Sequence, residues 1–513
     1  MIPITDNTSA AQAKYELELA LLDNAEWQLR NGDVVLAELR GEARAACEFG
    51  VEWGKLIFAW WDENNAQNWR VLSYEITPAE ITLRATRSFG RELTTLVLRN
   101  VARWRAQPDG SDAQRRQAYA QLLGPLLSQH FGKAKIHRLA DAQRYARWRV
   151  QIGQQTTLVI GVSAAERQEE IDGSVAAGLV WLAGFKAGAQ RLCFCVPGER
   201  AQTVIERLSL LARQPYGARL ECFAIDEGAE QLTAVTLAAQ AELLHNHPRE
   251  LRWPAASSQA NTWRARILQL APDLIEARAH PQLDCESFSV HGLEFARAQQ
   301  HGLERASFGV AGLPEDFNAP AQASLNEENF AQLEALVHQL IQHRHAQPRD
   351  RRHPFYRLRA EAWLESMLRR DIRVLDAGLD DRFVYSQIPA WRADERAVLD
   401  LLTVNHLGRL VVIEIKAAED AQLPLQGLDY WLRVEQARAR GEFTQRGLFV
   451  GIELAEAPPL LYLVAPRLRF HRSFTTIAQC IAPEIEAYSI GINANWRAGV
   501  RVHTRERVNP PRP

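Results

Sequence analysis

The sequence predicts a multi-domain α/β protein with two αβββαβ layer units in tandem, each preceded by a β-rich segment. Three observations carry that expectation. A chain of 513 residues is too long for a single hydrophobic core. Its apolar residues alternate with period two in some stretches and recur every three to four in others. The nonapeptide L-V-I-G-V-S-A-A-E at 158–166 returns as V-V-I-E-I-K-A-A-E at 411–419, identical at five of nine positions.

The elements follow in order. A helical pattern from Tyr15 to about Arg30 ends at the turn signal Asn31-Gly32-Asp33. Four alternating runs then read as antiparallel strands: V-V-L-A-E-L-R, K-L-I-F-A-W-W, R-V-L-S-Y-E-I and I-T-L-R-A-T-R. Trp53, Trp60, Trp61 and Trp69 concentrate there, either as packing for a small β core or as a base-stacking surface. Pro108-Asp109-Gly110-Ser111 breaks the pattern. A helix at 114–131, strands at 145–152 and 156–163, a helix at 170–186 and the strand R-L-C-F-C-V follow, then a helix at 200–213 and the strand L-E-C-F-A-I. Pro248 to Ala260 reads as a linker, 261–312 as short strands with Gly turns, and 326–342 as a helix. The basic stretch 343–353 is a connector. After it come a helix to about Arg370, strands at 383–391, 397–404 and 409–417, and a helix from Leu425 to about Arg440. The strand G-L-F-V-G-I and a last helix near 473–490 close the order. The expected domains are 1–110, 111–250, 251–345 and 346–513.

Composition narrows the class. Lys+Arg 60 against Asp+Glu 62 leaves a formal charge of -2, so any nucleic-acid contact must come from local basic patches. The six cysteines are scattered without zinc spacing, which predicts free thiols in a reducing cytoplasm. The first ten residues lack the basic and apolar regions of a signal peptide. No apolar run approaches the roughly 18 residues that a membrane span needs. The expectation is a cytoplasmic protein with no membrane partner.

One stretch is chemically odd. V-V-I-E-I-K at 411–416 is built to be buried, yet strand periodicity puts Glu414 and Lys416 on one face. The preceding strand carries Asp400 inside another apolar run. Two enclosed carboxylates on neighbouring strands repel unless a cation lies between them, and all-oxygen ligation suits Mg²⁺ or Mn²⁺. The helix before the sheet offers Glu361 and, one turn later, Glu365, of which Glu361 is the expected ligand; Asp371 lies too far along. The helix after it begins with Gln426. A carboxylate set with a lysine suits phosphodiester hydrolysis, Lys416 orienting the nucleophile and neutralising developing charge. The competing reading is a buried Glu414–Lys416 pair without catalytic consequence.

Residues 356–452 resemble the PD-(D/E)xK nuclease superfamily, with Asp400 at its metal-binding aspartate and Glu414-Ile415-Lys416 at its (D/E)xK. Glu361 matches the helical glutamate of several branches. Gln426, followed by Tyr430, resembles the glutamine and aromatic of the RecB-like and resolvase-like branches. The residue before Asp400 is not the family's proline. The resemblance implies a restriction-endonuclease-like fold and Mg²⁺- or Mn²⁺-dependent cleavage of nucleic acid, DNA above all, with Asp400, Glu414 and Glu361 as metal ligands. The middle unit reads as a degenerate copy, with Gly161 where Glu414 would be, Ser163 where Lys416 would be, and Arg147 facing the place of Asp400. Asp172-Gly173 opens its helix as Gln426-Gly427 opens the other. Arg147, Arg351, Arg352 and Tyr430 are the candidate nucleic-acid contacts. Such a chain would nick DNA as a monomeric internal pseudo-dimer, a homodimer being the other arrangement. The alternatives are a defence effector switched on by a small-molecule activator, and a non-cleaving protein that binds DNA ends or junctions.

Overall fold

The computed structural model describes residues 2–4, 7–21, 27–32, 34–39, 46–52, 54–62, 65–77, 80–87, 92–100, 112–139, 144–238, 240–243, 262–280, 285–299, 305–311, 313, 323–392 and 395–509. They form a mixed α/β protein with four β-sheets, whose strands fall within 2–100, 135–235, 275–324 and 385–507. No described helix is long and apolar enough to cross a membrane. None of the six cysteines is in a disulfide.

The first sheet is antiparallel and has eight strands. Its helix is Asn7–Ala20, and Trp27–Asn31 is a strand rather than the helix end that the sequence pattern suggested. Trp60 and Trp69 are 2% exposed in the core, and Arg357 lies 3.7 Å above the ring of Trp61, so these rings pack and offer no base-stacking surface. Trp53 and the whole 248–260 linker lie outside the described residues. The third sheet follows a helix at Thr262–Gln269 and leads into Phe330–His343. At that helix end Arg344 is fully enclosed and donates to the carbonyls of Val290, His291, Phe355, Leu358 and Arg359, fastening this region to the last unit.

The two α/β units share one sheet topology and one order of main elements, the second adding a short helix at Glu442–Gln445. The first runs α1 (Asp112–Phe131), β1 (Lys135–Arg138), β2 (Ala146–Ile152), β3 (Gln155–Gly161), α2 (Gln168–Gly184), β4 (Arg191–Pro197), α3 (Gln202–Ser209), β5 (Arg219–Asp226), β6 (Gln231–Val235). The second runs α4 (Ala360–Arg370), β7 (Tyr385–Arg392), β8 (Glu395–Val404), β9 (Leu410–Ile415), α5 (Leu423–Ala439), β10 (Leu460–Pro466), α6 (Phe474–Ala478), β11 (Ala487–Ile492), β12 (Val502–Arg507). Each sheet keeps its strands in sequence order, with three antiparallel strands, two parallel additions and an antiparallel edge.

Two elements differ from the sequence expectation. G-L-F-V-G-I is a turn, because Gly447, Phe449 and Gly451 take left-handed backbone conformations (φ 65, 55 and 81) that no strand accommodates. The parallel strand is instead the continuous apolar run L-L-Y-L-V-A-P of β10, buried along its whole length. The expected last helix is one short turn, α6, followed by β11.

Register corrects the comparison between the copies. The N–H of Lys416 donates to Val464 O at 2.9 Å, and in the first unit the N–H of Val162 donates to Cys195 O at 3.0 Å. β9 starts its pairing with β10 at Val411–Leu460, β3 with β4 at Thr157–Arg191. Lys416 therefore corresponds to Val162 and Glu414 to Ile160, one residue away from the Ser163 and Gly161 of the nonapeptide match. A one-residue slip moves every side chain to the other face. Gly161 lies on the α1 face, where an added Cβ would fall 2.6 Å from Leu123. Arg147 pairs with Ile160 and does occupy the place of Asp400.

The helical faces of the two units pack together around one shared core. α2 contacts α6 and α3 contacts α5, the reciprocal pattern of a two-fold interface. Leu211 and Ile481 form an antiparallel bridge between the units, where Ala212 N–H donates to Cys480 O and Ala482 N–H to Leu210 O. The pseudo-symmetry is broken in chemistry. Arg207 of α3 makes a two-pronged ion pair with Asp429 of α5 (2.8 and 3.0 Å), and Glu206 pairs with Arg433. At the related positions Val175 and Ile477 are simply buried apolar side chains.

Candidate active site

β9 is a strand because V-V-I-E-I is mostly β-branched and is enclosed along its length. Its pairing of Ile413 with Leu401 sets Glu414 across from Asp400 on the next strand. Glu414 is 2% exposed, whereas Asp400 is half-buried. The Ile415 N–H donates to Asp400 Oδ2 at 2.8 Å, which orients that carboxylate. Lys416 Nζ lies 3.2 Å from Glu414 Oε1 and 3.6 Å from Glu361 Oε2 on the first turn of α4. Four sequence-selected residues, Asp400, Glu414, Lys416 and Glu361, thus converge.

Their electrostatics follow from enclosure. Burial, then the Glu414 and Glu361 charges, push Asp400 well above the usual carboxylate range. Burial and the Glu361 charge raise Glu414 to about 7, against the pull of Lys416. Burial works against the Lys416 charge, but Glu361, Glu414, Asp420 and Asp400 more than offset it, so the ammonium stays protonated. Two carboxylates facing one lysine still carry an excess of negative charge. Glu414 Oε2 is buried with no hydrogen-bond partner, and so is Gln426 Oε1 in the first turn of α5. Buried acceptors without donors are costly.

The donor set fits a hard divalent cation. Among the described residues no group of three or more His, Cys, Asp or Glu side chains is placed to hold a metal ion, so the expected third ligand, Glu361, is not assembled with Asp400 and Glu414. A pair of carboxylates with an unpartnered oxygen is instead the open arrangement that Mg²⁺ accepts, since it keeps water and takes phosphate oxygens for its remaining positions. Asp400 and Glu414 could hold such an ion, with Glu361 at the edge, drawn to Lys416.

The other selected residues go elsewhere. Glu365 is buried in an ion pair with Arg278 at 2.8 Å, a structural tie to the third sheet, and Asp371 is exposed at the far end of α4. Gln426 makes no hydrogen bond or ion pair with the carboxylates. Tyr430 packs against the shared core of the two units. Arg147 lies over the ring of Trp181 at 5.4 Å. Arg352 pairs with Glu48 and Glu52 of the first sheet, so it staples domains, while Arg351 is exposed and its carbonyl accepts from Arg357. Asp420, which acts on Lys416 from the following loop, escaped the sequence reading although it stands four residues downstream. A cavity of about 290 Å³ opens at the opposite end of the sheet, but its charges neutralise each other as Arg505–Asp376 and Arg409–Glu486.

In the first unit the matching positions hold Arg147, Ile160 and Val162. Ile160 and Val162 are each 1% exposed and belong to the apolar core. That unit has a hydrophobic plug where the second has a charged site. No protein-family model matches the chain, and no curated protein or solved structure matches it.

Proposed function

We propose that this protein is a divalent-cation-dependent nuclease that hydrolyses phosphodiester bonds of DNA at Asp400, Glu414 and Lys416, with the first α/β unit as its non-catalytic partner. The observation that carries this is Glu414 itself, a buried carboxylate opposite a second one, with an oxygen that nothing in the described protein satisfies. When bound, Mg²⁺ or Mn²⁺ supplies charge that polarises the scissile phosphate and acidifies the attacking water. Asp400, held by the Ile415 N–H, and Glu414 would hold that ion. Lys416 acts as a donor and a fixed positive charge, since its neighbours keep it protonated and unfit to be a base. It orients the attacking water and offsets the charge that grows on the phosphate. Glu361 holds the ammonium in place from α4. The first unit, with Arg147 and Ile160 in place of the two carboxylates, would hold the nucleic acid without cutting. A protein that only bound DNA ends would have no use for two opposed enclosed carboxylates.

The test is incubation of the purified chain with duplex DNA, single-stranded DNA and RNA, each with Mg²⁺, Mn²⁺ or EDTA. The proposal expects cation-dependent cleavage of DNA that Asp400→Asn abolishes. No cleavage of any polymer with either cation refutes it.

A further inference from the structure

Beyond β10 the chain leaves the sheet as Arg467-Leu468-Arg469, a single 3-10 turn directly beside the strand that carries Glu414 and Lys416. The Lys416 N–H donates to Val464 O, three residues before Arg467, so the turn lies on the order of 10 Å from the lysine at about 3.3 Å per residue. That is about three steps along a nucleic-acid strand at roughly 3.4 Å each. Arg469 approaches Glu419, three residues past Lys416, at 4.0 Å across exposed side chains. Arg467 and the nearby Arg472 are exposed and make no ion pair among the described residues. Leu468, between two arginines, is 81% exposed.

An exposed leucine by itself means little; Leu407 is 83% exposed at the far end of the β8–β9 hairpin, where the neighbouring Arg409 is paired with Glu486. The second unit's relation to the first gives Leu468 its meaning. The two parallel strands end at Pro197 and Pro466, and the turns that follow are Gly198-Glu199-Arg200 and Arg467-Leu468-Arg469. In the first unit, which lacks the carboxylate site, the tip is an exposed glutamate, and Arg200 is turned inward onto the carbonyls of Ala164 and Glu166. A glutamate tip repels phosphate. The tip beside the carboxylates combines outward cations with an apolar point, the chemistry by which proteins grip a backbone and part a base step.

We infer that Arg467, Leu468 and Arg469 form a duplex-opening element, with the arginines on phosphates flanking the cut and Leu468 wedged between base pairs. This inference rests on the nuclease reading of the adjoining site and gives it a substrate class: duplex DNA with a weakened step, such as a mismatch or a branch. Unstacking costs least there, so the wedge selects it.

The experiment uses the full chain in EDTA, so that binding is read without cleavage. Duplexes carry 2-aminopurine beside a mismatch or in a matched sequence, and affinity is measured over a salt series. The wild type should raise the fluorescence on the mismatched duplex and bind it more tightly. Leu468→Ala should lose the fluorescence rise and the preference while keeping the salt slope. Arg467→Ala/Arg469→Ala should flatten the slope of log affinity against log salt by about 2, close to 0.9 for each phosphate that is no longer neutralised. Glu199→Ala, at the matching tip, should change neither. A Leu468→Ala protein with wild-type fluorescence and preference overturns the wedge, and an unchanged slope in the double variant overturns the phosphate grip. Because the readout needs no cation, absent cleavage would remove the nuclease reading alone. Cleavage by Leu468→Ala with the wild-type ratio between mismatched and matched duplexes would remove the wedge alone.

Discussion

Replacing Glu414 by Gln separates a cation site from an inert ion pair by its dependence on pH. The carboxyl is raised from 4.5 to about 7, so between those values the folded protein holds a proton that the unfolded chain has released. Stability then falls as pH rises through that window. At pH 8 the native state carries a penalty of about 3 kcal/mol from this group, and at pH 5 about 1 kcal/mol, taking 1.36 kcal/mol per unit. Glu414→Gln keeps the shape and removes the charge. Without divalent cation it should stabilise the second unit by up to about 3 kcal/mol at pH 8, the pull of Lys416 being already contained in the net shift, and by only about 1 kcal/mol at pH 5. With Mn²⁺ the order should reverse at pH 8: the wild type gains about 4.1 kcal/mol at a free concentration some 1,000-fold above Kd, and the variant gains little. Urea denaturation followed by tryptophan fluorescence reads this, because Trp363, Trp431 and Trp496 are all buried in that unit. A variant destabilised equally at both pH values, together with a wild type indifferent to Mn²⁺, would mean that Glu414 and Lys416 are a structural pair.

Other outcomes follow from the same geometry. Lys416→Ala should lower the cleavage rate by on the order of 10²-fold or more while calorimetric Mn²⁺ affinity survives, because the lysine is a donor and not a ligand. Glu361→Gln should impair cleavage with little change in stability, whereas Glu365→Gln should unfold more easily, since it leaves Arg278 without its partner, and cleave normally once folded. Arg207→Ala removes the two-pronged charged partner of the enclosed Asp429, which should cost about 3–5 kcal/mol. Arg207→Ala/Asp429→Val, which makes these positions apolar like the buried Val175 and Ile477 of the related positions, should recover much of it in the same denaturation assay.

The residues that converge at the site were legible because burial and charge conflict visibly in a sequence. An Asp and a Glu inside apolar strand runs need a reason, and strand alternation alone puts Glu414 and Lys416 on one face. The shared order of the two units was legible too, but its register was not. Apolar strands are interchangeable letters, so the best letter match between 158–166 and 411–419 fell one residue off the hydrogen-bonded register and put Gly161 on the wrong face. The strand Leu460–Pro466 was missed because an unbroken apolar run lacks any alternation to mark it. The Arg207–Asp429 and Glu206–Arg433 pairs join residues more than 200 positions apart, and nothing local in a helix announces a partner on another domain. Arg352 was read as a phosphate contact for the same reason: its carboxylate partners lie some 300 residues away, on the first sheet.

The most direct measurement is a time course on supercoiled plasmid with the wild type and Asp400→Asn, each with Mn²⁺ and with EDTA, at concentrations where the chain is monomeric by light scattering. One carboxylate site in a two-unit chain should give open circles well before any linear form, and none with Asp400→Asn or EDTA. Nicking by Asp400→Asn at the wild-type rate, or linear product from the first time point, would contradict the account.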